Sequence, residues 1–507
     1  MIQDLIPLDQ ILKRRAALTP RKTFIKFNGK KFRFRDIDHL ADVYASFLLG
    51  RGMQKGDRVA ILCHNCPHYI AAYFGIIRAG GIVLPLNTLL THEEINFILV
   101  DAGVATCFYD GDCSGTVAKL REAGSCSFFS LSETAAAGLV PDCSVTFSRN
   151  SADDVSTILY TSGTTGRPKG ALLTHRNFIS NALAATAVIR VTNKDRFVVF
   201  LPLFHSFTYT VCVILPLLSG AAISLLPSVR PFSRVVKSLI VDRITLFVAI
   251  PTVYKILAEK DMPFFIKLLL NLRLCISGAA PLPVRVIREF EGAFKVPLLE
   301  GYGLTEASPV VSINPFEKGK NKPGTVGLPL PGVEVNVVDD NGLPLPPETP
   351  GELIVKGPSV MRGYLNRPED TAKTIKDGWL YTGDIAALDA DGYIRIIDRK
   401  KDMIIVDGLN VYPYEVEEVL YRHPSVKDCA MIGVLHDEEK ELPIMYVVLN
   451  DGKQATPKAL REFLSEHVAH YKIPRRFLFT DELPRNATGK ILKKELRNWY
   501  AEKEMKH

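Results

Sequence analysis

The residues best suited to chemistry form one string, Tyr160-Thr161-Ser162-Gly163-Thr164-Thr165-Gly166-Arg167-Pro168-Lys169-Gly170. Its glycines let backbone N–H groups converge on an anion, and its hydroxyls and Lys169 add donors and charge suited to a polyphosphate. The spacing is G-x-x-G-x-x-K, and no Walker-type G-x-x-x-x-G-K-[ST] occurs in the chain. A flexible linker is the bland alternative. Pro168-Lys169-Gly170 running straight into the apolar Ala171–Leu173 favours phosphate binding. A second string, Glu300-Gly301-Tyr302-Gly303-Leu304-Thr305-Glu306, begins like a dinucleotide-binding turn but has Glu306 where a third glycine belongs. A carboxylate there repels pyrophosphate unless a cation such as Mg²⁺ bridges the two. Tyr302 offers a ring to a base; the alternative is a glycine-rich turn between core elements. Tyr381-Thr382-Gly383-Asp384 and Asp398-Arg399 place carboxylates where ribose hydroxyls find acceptors, though each alone reads equally as a surface turn. Asn486-Ala487-Thr488-Gly489-Lys490, taken alone, is a helix-entry turn with a solvated lysine.

Another cluster, Cys63-His64-Asn65-Cys66-Pro67-His68, contains C-x-x-C and two imidazoles. It reads as a metal or redox site, or as a strand end turning into the apolar stretch Tyr69–Ala79. With no second C-x-x-C to complete a zinc site, the strand-to-helix reading is preferred. Nine scattered cysteines and no export signal at the N-terminus imply reduced thiols and a cytoplasmic location.

The elements that must position these residues fall into three textures. From Arg51 to about Glu300, short apolar runs (Arg58–Leu62, Gly81–Pro85, Thr157–Tyr160, Arg196–Phe200, Ile244–Ile250, Leu272–Ser277) alternate with helical stretches such as Pro67–Ala79 and Thr91–Asp101. That alternation predicts an α/β body with helix-covered, mostly parallel sheets. Residues 322–400 carry Asn341-Gly342, Asp377-Gly378 and Asp391-Gly392 turns, predicting a β-rich antiparallel subdomain. The remainder predicts a small α+β domain, with helices over Thr456–His470 and Ile491–Tyr500 among its elements. The expected division is therefore a body over residues 1–400 and a C-terminal domain over 401–507. The apolar run Val211–Leu226 is too short for a membrane span and is interrupted by Pro216 and Gly220, so it reads as buried helix and strand.

Charge sets limits on partners. The 62 basic and 55 acidic residues give a net +7, too mild to argue for nucleic acid yet compatible with an anionic ligand. Residues 401–507 are nearly neutral, so the excess lies in the body, while the last stretch around Lys490 is locally basic.

In order and spacing, the strings Tyr160–Gly170, Gly301–Glu306, Tyr381–Asp384, Asp398–Asp402 and Pro484–Lys490 resemble the adenylate-forming superfamily of acyl-CoA synthetases, luciferases and peptide-synthetase adenylation domains. The resemblance spans about residues 10–500. It implies a two-step ligase using ATP, Mg²⁺ and coenzyme A. A carboxylate attacks the α-phosphate to give acyl-AMP and pyrophosphate, and a thiol then displaces AMP. By the same resemblance, Thr161, Ser162, Gly163, Thr164, Thr165, Gly166 and Lys169 hold phosphates. Thr305 touches phosphate, Glu306 holds Mg²⁺, and Gly301, Tyr302 and Gly303 with Gly278, Ala279 and Ala280 frame the adenine. Asp384 and Arg399 grip the ribose. Lys490 sits between the reacting carboxylate and the α-phosphate, and His205 guards the carboxylate and thiol channel. The small domain is expected to be mobile, turning about a hinge at Lys401 to present the Asp407-Gly408-Leu409-Asn410 loop for the thioester step.

Amino-acid-activating members place an Asp just after the position of His205. Here Ser206–Val211 has no carboxylate to pair with a buried ammonium, which argues against amino acids. The expected pocket strings, Val248–Pro251, Ser277–Leu282 and Ala307–Val311, are small and apolar and resemble those of bacterial medium- and long-chain fatty acyl-CoA synthetases. The expected reaction is fatty-acid–CoA ligation. The alternatives are an acyl carrier protein as acceptor, or an aryl or short-chain acid. A non-catalytic acyl- or nucleotide-binding protein is disfavoured by the presence of Lys169, Glu306 and Lys490. Peripheral membrane contact and a homodimer are left open.

Overall fold

The run Arg58–Leu62 is buried on both faces, and its alternate residues enter different cores. Val59 and Ile61 join one, Ala60 and Leu62 another. This is how a parallel strand covered on both sides reads in sequence. In the computed structural model, which describes residues 6–136, 150–161, 168–259, 267, 269–406, 409–437, 440–486 and 489–504, it is part of a seven-stranded sheet. The order is Gly363–Tyr364, Lys169–Thr174, Val155–Thr161, Ile82–Pro85, Arg58–Leu62, Thr106–Tyr109, Ser127–Ser130. The strands are parallel except where Lys169–Thr174 folds back on Val155–Thr161 and pairs with Gly363–Tyr364.

A nine-stranded sheet lies across the shared core, in the order Leu328–Pro329, Val310–Ile313, Leu298–Gly303, Leu274–Ser277, Leu246–Ala249, Arg196–Val199, Ala222–Leu225, Thr23–Phe27, Lys30–Arg33. The same alternation recurs here. Phe197, Val199, Leu246 and Val248 face the shared core, whereas Val198, Phe247 and Ala249 face an outer core with Val235, Tyr254 and Phe290. Burying each such large side chain stabilises by about 1.5–3 kcal/mol. The helix Pro67–Arg78 is buried on every side because it runs inside the shared core; Pro67 opens it and the Cys66 sulfur accepts from the Tyr69 N–H. The run Val211–Leu226 resolves as expected into buried helical turns (a π-turn Thr210–Ile214, then Leu215–Ser219) and the strand Ala222–Leu225. No helix among the described residues is long and apolar enough to cross a membrane.

The β-rich segment forms a five-stranded antiparallel sheet from Glu334–Val338, Gly351–Lys356, Ile375–Lys376, Trp379–Leu388 and Ile394–Arg399. Beyond it, Val426–Asp437, Lys440–Leu449 and Arg476–Phe479 make a three-stranded sheet. Helices Pro413–Leu420 and Pro457–Ser465 cover one face and Lys493–Glu504 the other. Two expectations shift. The helix expected over Thr456–His470 ends at Ser465, and the last helix starts at Lys493 rather than Ile491.

Candidate active site

The Thr161 and Lys169 ends of two antiparallel strands face each other in register. The connecting loop holding Ser162, Gly163, Thr164, Thr165 and Gly166 lies outside the described residues, as does Gly408 in the small domain. Thr161 and Lys169 open onto a cavity of about 480 Å³, which His205, Gly278, Ala279, Gly301, Tyr302, Gly303, Thr305, Glu306, Arg399, Lys401 and Lys490 also line. Residues from six separate segments thus meet in one space. Asp384 and Ala280 border an adjoining cavity of about 350 Å³ instead.

Two glycines in this wall are there because backbone and ring approach closely. A Cβ on Gly303 would stand 2.1 Å from the Pro309 carbonyl oxygen, and one on Gly278 would stand 2.9 Å from the Phe207 ring. The strand Leu298–Gly303 carries Tyr302, whose hydroxyl donates to Asp384 Oδ2 at 2.5 Å. Asp384 Oδ1 lies 2.8 Å from Arg399 Nε, and the two residues are cross-strand partners. The two separated strand ends of the sequence are therefore one unit, with Asp384 locking Tyr302 as well as pairing with Arg399.

Thr305 and Glu306 occupy a short helical turn after that strand. Thr305 Oγ1 lies 3.4 Å from Ser206 Oγ. Glu306 Oε1 accepts from the Tyr364 hydroxyl at 2.9 Å and the Thr161 hydroxyl at 3.4 Å. A carboxylate oriented by hydroxyls at a cavity wall suits Mg²⁺, a hard cation that takes oxygen ligands and shares them with phosphates. Lys169 pairs with Asp370 at 3.1 Å beside the Tyr364 ring. Tyr364 and Asp370 carry no motif signal; only the chain crossing that brings Gly363–Tyr364 beside Ala171–Leu172 reveals them.

His205 precedes the helical turn Ser206–Tyr209, and burial drops its pKa to about 4, so its imidazole is neutral. Lys490 reaches the cavity from the small domain. Desolvation first, then the nearby Arg399 guanidinium, lower its pKa to about 8. Beside the segment Gly278–Leu282, Glu300 is buried and accepts from the Leu282 N–H at 3.0 Å. Burial raises its pKa to about 8.

The apolar part of the main cavity's wall includes Ala185, Ile189, Val211, Ile276, Val310 and Ile313. Of the expected pocket strings, Gly278, Ala279, Pro309 and Val310 are there, while Ile250 and Pro251 border the adjoining cavity. Ala185 and Ile189, one turn apart on the helix His175–Ile189, were not legible as pocket residues.

A site that gathers cations around a polyanion space, with an apolar continuation, agrees with what known proteins show. A family profile described as AMP-binding enzyme matches residues 12–365, and one described as AMP-binding enzyme C-terminal domain matches residues 415–490. The chain belongs to the AMP-binding enzyme family. It is 35% identical to a long-chain-fatty-acid–CoA ligase of Bacillus subtilis, over 96% of this chain and 94% of that one. It is also 35% identical to a feruloyl-CoA synthase of an Amycolatopsis species, over 96% and 97%. ATP-bound MatB from Rhodopseudomonas palustris superposes with a TM-score of 0.90 at 32% identity, covering 98% and 99%; the apo form of MatB gives 0.79. Fold, site and relatives define an acid–CoA ligase that works through an acyl adenylate and uses ATP, Mg²⁺ and coenzyme A.

Proposed function

We propose that the acid is a fatty acid and that the chain makes its coenzyme A thioester. The observation that carries this reading is the apolar part of the cavity wall. Ala185, Ile189, Val211, Ile276, Val310 and Ile313 belong to it, and the helix that carries Ala185 and Ile189 packs on the turn that carries Val211 and on the strand that carries Val310 and Ile313. Such a wall favours an alkyl tail and leaves a second carboxylate or an amine on the acid unpaired. The long-chain relative supports it, while the feruloyl-CoA relative keeps an aryl acid as the second reading.

In the first step a carboxylate oxygen attacks the α-phosphorus of ATP and pyrophosphate leaves. Two anions must meet, so the protein's contribution is positioning and charge. Lys490, cationic at neutral pH, stands where the carboxylate and the α-phosphate come together, and Arg399 and Asp384 hold the sugar. Lys169, Thr161 and Thr305 hold phosphate oxygens. Glu306 is the ligand for Mg²⁺, which neutralises phosphate charge when bound. In the second step the thiol attacks the acyl carbonyl and AMP leaves, with neutral His205 at the channel.

The division into a body of residues 1–400 and a cap of 401–507 turning at Lys401 belongs to the same proposal. Its support is local. Lys401 sits in the turn Lys400–Asp402 on the cavity wall, the cap delivers Lys490 to that cavity, and the chain as a whole superposes better on ATP-bound than on apo MatB. Gly408 lies on the loop assigned to the second orientation.

The deciding measurement is ATP–pyrophosphate exchange over a panel of alkyl, aryl and dicarboxylic acids, followed by thioester detection with coenzyme A and with a phosphopantetheinyl carrier protein. Exchange with medium or long alkyl acids and a coenzyme A product is expected. Exchange confined to aryl acids would replace the fatty-acid reading, and carrier-only product would replace the acceptor.

A further inference from the structure

The seven-stranded sheet has its own switch point. From Arg58–Leu62 the chain crosses through helix Pro67–Arg78 to Ile82–Pro85 on one side, then returns through helix His92–Asp101 to Thr106–Tyr109 on the other. The two helices pack on opposite faces, one in the shared core and one in the outer core with Ile95 and Leu99. Connections that diverge in this way leave a crevice at the carboxyl ends of the strands, where open α/β sheets bind ligands.

The residues at this crevice are metal-ligating types. His64 follows the first strand, and Asp110 and Cys113 follow its neighbour. His64 Nδ1 lies 3.0 Å from Asp110 Oδ2 and 3.9 Å from Cys113 Sγ, and the three ligand atoms all fall within 4.8 Å of one another. Nitrogen, oxygen and sulfur around one tetrahedral ion, at bond lengths of about 2.0–2.3 Å, stand roughly 3.3–3.6 Å apart. The observed spacing brackets that value. Asp110 also accepts from the His64 N–H at 2.7 Å and the Cys113 N–H at 3.1 Å, so both loops are already tied to this carboxylate. The His64 side chain is 43% exposed, which leaves the crevice open to solvent, while Cys113 is buried.

We propose that His64, Asp110 and Cys113 form a binding site for a borderline-soft divalent cation such as Zn²⁺, separate from the ATP and Mg²⁺ site. Three protein ligands on an open crevice leave the fourth position to water. The second C-x-x-C whose absence argued against a metal is not needed, because the ligands come from two strands rather than one motif. Cys63 and Cys66 lie 3.5 Å apart in the same loop and are the competing thiols.

The site has a route to the reaction. Asn65, between His64 and Cys66, donates to the Leu201 carbonyl at 2.9 Å and accepts from the Leu203 N–H at 2.9 Å. Leu203 is two residues before His205. An ion that fixes the His64 loop therefore also steadies the segment carrying His205.

The test is titration of the metal-free full chain with Co²⁺ in the absence of nucleotide, followed by displacement with Zn²⁺. One equivalent of Co²⁺ giving a thiolate-to-cobalt charge-transfer band is expected. Cys113→Ser should abolish the band, His64→Ala should weaken binding at least about tenfold, and Cys66→Ser should leave it intact. Zn²⁺ should raise the melting temperature of the wild type more than that of His64→Ala at the same concentration, with metal-free melting of the variant as the control for folding. No band, a band that survives Cys113→Ser, or a band lost with Cys66→Ser overturns the assignment.

Discussion

Replacing Lys490 with Ala tests the division of labour most directly. The Lys490 backbone is anchored without the side chain, because the Lys490 N–H donates to the Asn486 side chain at 2.9 Å and the Lys490 carbonyl accepts from the Asn486 N–H at 2.9 Å. The variant should thus lose a charge and little else. Losing one preorganised charge-stabilising group costs about 10²–10³ in rate, roughly 2.7–4 kcal/mol. Pyrophosphate exchange should fall by that factor, while thioester formation from supplied acyl-adenylate stays within about twofold of wild type. The pH profile adds a second reading. With a pKa of about 8, the cation is about nine tenths populated at pH 7, half at pH 8 and one tenth at pH 9 in the unliganded enzyme. Adenylation kcat/KM should therefore decline above pH 8, and Lys490→Arg should move that decline upward. Equal loss of both half-reactions in Lys490→Ala would refute the reasoning, as would a flat profile from pH 7 to 9.

Four further outcomes are expected. Glu306→Gln should raise the Mg²⁺ concentration needed for half-maximal exchange by about 10–100-fold, because a neutral amide replaces the charged oxygen ligand; an unchanged Mg²⁺ curve would remove Glu306 from that role. Asp384→Asn weakens the charge-assisted contacts to Arg399 and Tyr302, each worth about 1.5–3 kcal/mol, so KM for ATP should rise about tenfold or more with the acid KM little changed. Glu300 is held protonated by burial, with a folded pKa of about 8 against 4.5 in the open chain. The folded protein then binds a proton the unfolded chain has released, so this residue costs stability as pH rises from about 4.5 to 8. Glu300→Gln keeps an acceptor for the Leu282 N–H and should gain on wild type across that window, by up to about 4–5 kcal/mol at its top; denaturant melts at pH 5 and pH 8 giving the same difference would contradict this. Ala185→Phe puts a ring into the apolar part of the cavity and should cut the long-chain to medium-chain ratio of kcat/KM by about tenfold or more, with about 1–3 kcal/mol lost to overpacking. A ratio that does not move would place the tail elsewhere.

The parts legible in sequence are those governed by local rules. Val59 to Leu62 alternate between two cores, and the strand can be read because being buried on both faces requires an unbroken apolar run. The antiparallel segment was readable from its Asn-Gly and Asp-Gly turns. The site strings were readable because glycines beside hydroxyls and a lysine have few uses other than an anion. Less local features were missed. The apolar runs around Ile250 and Pro251 look like pocket but border the adjoining cavity. Ala185 and Ile189 look like ordinary core, since one face of a helix reads the same against a sheet or a ligand.

The sequence by itself determined the α/β texture, the motif strings that meet at the main cavity and the absence of a carboxylate after His205, because each depends on residues a few positions apart. Only the tertiary structure decided that Asp384 holds both Tyr302 and Arg399 and that Tyr364 orients Glu306. It also decided that His64, Asp110 and Cys113 meet at a sheet crevice. Most of these partners lie tens of residues apart, as Tyr302 and Asp384, Glu306 and Tyr364, and His64 and Asp110 do, and their meeting is set by strand order and crossover direction, which no local pattern encodes.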